Sequence, residues 1–122
     1  AIFRNGNRVS LSSDIPGSPL ALIGPLFNME AAMTMQDPTN PESKVFPSGR
    51  EGINLEQAIK SVTAFPAWQL RMEDKIGTLE VGKYADIVVL QQSLFDVSRR
   101  DIADVRVLAT MMHGKFTHRD GI

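Results

Sequence analysis

Gly77-Thr78-Leu79-Glu80-Val81-Gly82-Lys83-Tyr84-Ala85-Asp86-Ile87-Val88-Val89-Leu90 is the stretch on which the reading of this chain turns. Gly77 and Gly82 supply backbone that reaches positive φ at little cost, so the chain can reverse on either side of Leu79 and Val81. Behind them Ile87, Val88, Val89 and Leu90 form an apolar, mostly β-branched run with nothing polar to turn toward water. Such a run predicts a short strand covered on both faces, entered through a tight, charged corner.

Beyond this strand, Ser93 to Asp104 reads as a polar connection anchored by Leu94, Phe95, Val97 and Ile102. Val105 to Met111 follows as a second strand, and His113-Gly114-Lys115 turns it into Phe116, Thr117 and His118, a hairpin with glycine in its turn. Before the glycine stretch, Asn54 and Gln57 have the spacing of a capping box ahead of the stripe Leu55, Ala58, Ile59 and Val62. Thr63 is the expected cap of a further helix that tolerates Pro66 in its first turn and turns Phe65, Trp68 and Leu70 inward.

Earlier still, Gln36 to Gly52 holds Pro38, Pro41 and Pro47 among polar residues and predicts a loop without regular structure. Pro25 to Met35 carries Leu26, Met29, Ala32 and Met33 three and four apart, the spacing of a helix with one buried face and proline at its first position. At the start, Ala1 to Phe3 followed by Asn5-Gly6-Asn7 suits a last helical turn closed by glycine, as if residues preceded it. Arg8 to Ser12 then alternates as a half-buried strand does, and ends at Ser13-Asp14-Ile15-Pro16-Gly17.

With 122 residues the chain can build one domain, whereas a complete eight-stranded α/β barrel needs roughly 200 or more. A net charge of -1 with 22% charged residues leaves no basic patch to bind nucleic acid. The absence of cysteine removes disulfides and thiolate metal ligands. Neither a membrane-spanning stretch nor a signal peptide is present, so no membrane partner and a cytoplasmic location are expected.

Asp14 is the one candidate catalytic residue: a carboxylate at the end of a strand, with a proline two residues on to stop the ladder, is where α/β enzymes keep their chemistry. The same residue also fits an ordinary turn aspartate bonded to its own downstream amides. His113 and His118 lie five apart with no carboxylate at ligand spacing, which reads as surface histidine. Arg50 and Glu51 read as solvated loop charges, and Trp68 as packing against Leu70 and Met72.

The pattern G-x-L-x-x-G-K-x-A-D-I-V-V-L resembles the signature near the C-terminal end of the amidohydrolase superfamily, whose members include hydantoinases, dihydroorotases, imidazolonepropionases and adenine deaminases. Gly77, Leu79, Gly82, Lys83, Ala85 and Asp86 match it in order and spacing. The A-I-x-x-V-T-x-x-P-A run, the V-L-A-T-M-M-H-G-K run and the S-D-x-P around Asp14 are similar to further pieces of that family. The resemblance extends from Arg8 to Lys115 and is nearest to the long subfamily labelled exoenzyme-regulatory or uncharacterised amidohydrolases.

What the resemblance implies is an α+β fragment: the last strand and helices of a (β/α)8 metal-dependent hydrolase barrel over residues 1–76, then part of a small composite β-sandwich over 77–122. It implies cleavage of carbon–nitrogen bonds other than peptide bonds in a small-molecule substrate. Asp14 would touch a divalent metal, zinc in the usual case, in the full-length parent, and would take the proton from its bound water. The family's remaining ligands have no counterpart in this sequence, so the chain alone is expected to bind no metal and to hydrolyse nothing. Unpaired strand edges predict a homo-oligomer. The rival expectation is a non-catalytic α+β domain for binding or assembly, in which Asp14 is a turn residue.

Overall fold

Among the described residues three α-helices precede a three-stranded antiparallel sheet: α1 (Pro25–Thr34), α2 (Leu55–Val62), α3 (Ala64–Gln69), β1 (Ile87–Leu90), β2 (Val107–Met112) and β3 (Lys115–Arg119). This α+β arrangement comes from a computed structural model that describes residues 2–13 and 22–122. Among the described residues no helix is long and apolar enough to cross a membrane.

Pro25 opens α1 as its spacing predicts, and Met35 closes it in the left-handed region at φ 56°, with its N–H donating to the Ala31 carbonyl. The capping box before α2 forms in both directions. Asn54 Oδ1 accepts from Gln57 N at 2.8 Å, and Gln57 Oε1 accepts from Asn54 N at 3.0 Å. The expected cap at Thr63 does not form. Its hydroxyl instead donates to the Ile59 carbonyl at 2.8 Å, one turn back in α2, so the residue satisfies the end of one helix rather than the start of the next.

The sheet is ordered β1-β2-β3. Its hairpin turns on two residues, His113 at φ 50° and Gly114 at φ 77°, the pair of left-handed conformations that a two-residue turn needs to follow the twist of its strands. Across the hairpin the Thr110 and Thr117 hydroxyls lie 2.6 Å apart.

One core unites α1 and α2 with the β1–β2 connection. Met29 and Met33 of α1 and Ala58 of α2 pack with Leu94, Ile102 and Val105, all buried, while Leu11, Leu90 and Val97 close over them. The anchors in the connection are therefore Leu94, Val97 and Ile102, whereas Phe95 is 74% exposed. From Gln36 to Gly52 the chain has no helix or strand, as its prolines predict, yet it is tied down: Gln36 Nε2 donates to the Ser43 carbonyl, and Asp37 Oδ1 accepts from Thr39 N at 2.8 Å.

Three expectations need correction. Residues 8–12 form no strand, because an extended segment becomes one only beside a partner, and here the backbone bond is Leu11 N to the Ser61 carbonyl of α2 at 3.0 Å. The apolar run of β1 is not covered on both faces, since Val88 and Val89 are exposed. Nor do Trp68 and Leu70 turn inward, while Phe65 is half-buried. Ala67 is the buried residue of α3, and Trp68 lies at the surface with the Arg8 guanidinium 4.5 Å and the Arg71 guanidinium 5.6 Å from its ring centre.

Candidate functional site

Asp14 lies outside the described residues, as do Ile15 and Pro16. What the structure does describe is how the chain is held on either side. Upstream, Arg8 stacks on Trp68, Ser10 Oγ donates to Gln69 Oε1 at 2.8 Å, and Leu11 joins the core while its N–H meets Ser61. Downstream, Asn28 N donates to the Gly24 carbonyl to begin α1, whose Leu26 packs against the same core. Residues 14–21 are thus bracketed by two anchored ends.

The glycine-bounded corner is built as a set of backbone supports. Gly77 and Gly82 both adopt φ 93°. At Gly77 a side chain would also collide with the helix behind it, since a Cβ there would stand 2.5 Å from Ala67 Cβ and 3.2 Å from the Thr63 carbonyl oxygen. Lys83 Nζ spans the turn, 2.6 Å from Thr78 Oγ1 and 2.8 Å from Glu80 Oε2, and its hydrogen bond holds the Glu80 carboxyl below its ordinary range. Tyr84 N donates to the Lys75 carbonyl at 2.8 Å.

Ala85 and Asp86 then reach across to the hairpin. Asp86 Oδ1 accepts the N–H of His113 at 2.8 Å, and the Ala85 carbonyl accepts that of Gly114 at 3.0 Å. His113 lies against the ring of Tyr84 at 4.2 Å, while His118 sits on β3 near the Val107 carbonyl. The two histidines therefore belong to the hairpin's own construction.

A buried carboxylate went unread in the sequence. Glu30 of α1 is 1% exposed; its Oε2 accepts from Ala103 N at 2.8 Å, and Oε1 lies 4.0 Å from Arg100. Burial pushes its carboxyl above the ordinary value of 4.5, against the lowering effect of the Ala103 N–H and of Arg100, with Asp104 and Asp101 adding to the rise. Arg100 also donates to the carbonyls of Asp37 and Asn40, so one guanidinium joins α1, the proline-rich loop and the β1–β2 connection. The signal was in the spacing: Glu30 stands four after Leu26 and three before Met33, on the apolar stripe itself.

Among the described residues no three histidine, cysteine, aspartate or glutamate side chains converge to hold a metal ion. These residues do not by themselves fit the cation that the resemblance implies. A catalytic zinc takes about three protein ligands.

The sequence profile of the amidohydrolase family matches residues 1–118, nearly the whole chain. This chain belongs to the amidohydrolase family. Among curated proteins it is similar to an N-substituted formamide deformylase of Arthrobacter pascens, 27% identical over 110 residues, which is 89% of this chain and 19% of the relative. Among solved structures it is similar to an amidohydrolase from Thermotoga maritima, with a TM-score of 0.68 and 27% identity over 97% of this chain and 24% of that one. This amidohydrolase chain thus spans about a fifth to a quarter of the length of these relatives.

Proposed function

We propose that this chain is the C-terminal part of a metal-dependent hydrolase that cleaves carbon–nitrogen bonds other than peptide bonds in a small molecule. The observation that carries this reading is the family match over residues 1–118, which takes in the S-D-x-P turn as well as the glycine-bounded corner. In this reading residues 1–76 supply the last barrel strand and the helices behind it, and 77–122 supply part of the small sandwich. The extended run through Leu11 pairs with no strand among the described residues, and β1 and β3 bound a sheet with open edges. Both features suit a chain completed by further polypeptide.

Asp14 is the residue to which we assign chemistry: its carboxylate accepts a proton from the attacking water and returns it to the leaving nitrogen. A divalent cation, zinc by resemblance, would draw its ligands from outside the described residues. The curated relative is named for removing formyl groups from N-substituted formamides, which makes such amides the first substrates to assay. By itself the chain is inactive, and its open edges favour self-association.

The test is to purify the full-length protein, determine its metal content and assay hydrolysis of N-substituted formamides and cyclic amides. About one or two ions per chain, with hydrolysis that a chelator abolishes and added zinc restores, is the expected result. A native protein of this chain's length, without metal and without hydrolysis, would remove the enzyme reading.

A further inference from the structure

We infer that the cleft between α1, the start of α2 and the β1–β2 connection is a binding site for a small multivalent oxyanion, a ligand carrying phosphate or several carboxylates. The inference stands on the charges of the cleft and does not depend on the hydrolase reading.

The cleft measures about 700 Å³, within the size range of small-molecule sites. Three of its lining residues are Arg50, Arg99 and Arg100, against the single carboxylate of Glu51. For a chain with 13 basic and 14 acidic residues this is a local excess of positive charge in a concave place. The second cleft, beside the start of α1, has Asp104 as its one charged lining residue, so the excess is not a general property of the surface.

The three guanidiniums are not equivalent. Arg100 is committed to the Asp37 and Asn40 carbonyls and faces Glu30. The side chains of Arg50 and Arg99 make no hydrogen bond or ion pair with any described residue, and both are exposed on the cleft wall. Two unpaired guanidinium forks on one concavity match the bidentate geometry of carboxylate and phosphate oxygens. Arg100, held in place from behind, fixes the wall from which its neighbour Arg99 projects. Phe3 and Ile53 add apolar surface on which the body of an organic anion can rest.

The experiment is titration of the full-length protein with citrate and, separately, with inorganic phosphate at low ionic strength, followed by calorimetry and by the arginine side-chain resonances. Saturable binding is expected, weakened at least tenfold in an Arg50→Ala/Arg99→Ala double variant and unchanged in Arg119→Ala, a distant control on β3. Arg99→Lys, which keeps charge but not the fork, should lie between. Tighter binding of citrate than phosphate identifies a polycarboxylate ligand, and the reverse order a phosphorylated one. No saturable binding of either anion would overturn the proposal, and so would equal weakening by Arg119→Ala. Circular dichroism of each variant separates lost binding from lost folding.

Discussion

The carboxylate of Asp86, one residue before β1, accepts the N–H of His113 in the β2–β3 turn at 2.8 Å, across 27 residues of sequence. The Ala85 carbonyl accepts the N–H of Gly114 beside it. The A-D pair that precedes the strand is therefore the clasp of the hairpin. Two turn amides that would otherwise face only water are held by the strand that pairs with β2.

Replacing Asp86 by Ala should cost about 1 kcal/mol of stability, the usual net worth of a hydrogen bond, because water screens the charge of this exposed carboxylate. Asp86→Asn keeps an acceptor and should lose less than half of that. Denaturant unfolding of the two variants checks the order; equal losses would show that the acceptor oxygen is not what matters.

Gly77→Ala is expected to be more damaging, at about 2–4 kcal/mol. The strain of an alanine at φ 93° adds to the 2.5 Å approach to Ala67 Cβ. Gly82 has the same φ and open space around it, so Gly82→Ala should cost only the backbone strain, about 1 kcal/mol. The difference between the two melting temperatures measures the packing against α3.

Asn54→Ala removes the side chain that receives Gln57 N at the start of α2 and should destabilise by about 1 kcal/mol. Thr63→Ala should be milder, because its hydroxyl bonds back to the Ile59 carbonyl at the end of α2 and caps no helix start. Thermal unfolding of both distinguishes a working cap from a residue that merely has a capping side chain.

Glu30 predicts a pH dependence of definite sign. Its folded carboxyl binds protons more tightly than the unfolded one, chiefly because burial disfavours the charge. Its contribution to stability should therefore fall as pH rises from about 4.5 through the higher folded midpoint. Glu30→Gln keeps an acceptor for Ala103 N and cannot titrate. The stability of the native protein minus that of Glu30→Gln should decline between pH 4 and 7; a flat or rising difference would mean that Arg100 outweighs desolvation.

Helix starts and the hairpin were legible in the sequence because their causes are local. Pro25 fixes its own φ, Asn54 and Gln57 satisfy each other within one turn, and His113-Gly114 can enter the left-handed region together. What sequence reasoning missed depends on partners far away in the chain. Residues 8–12 alternate as a strand does, but only a neighbour can make them one. Thr63 has a capping side chain, yet its hydroxyl is taken by the Ile59 carbonyl of the preceding helix. Trp68 stands at helical spacing, but the two arginines that cover its ring come from either side of α3. Glu30 was overlooked because burial of a carboxylate depends on an amide 73 residues away.

The proton transfer proposed for Asp14 in carbon–nitrogen bond hydrolysis is tested most directly by the rate of the Asp14→Asn variant of the full-length protein. Asparagine preserves size and polarity but cannot accept the proton. The kcat on an N-substituted amide should fall by about a thousandfold or more, with KM and the melting temperature little changed. An unaltered kcat would remove Asp14 from the mechanism and leave it a turn residue.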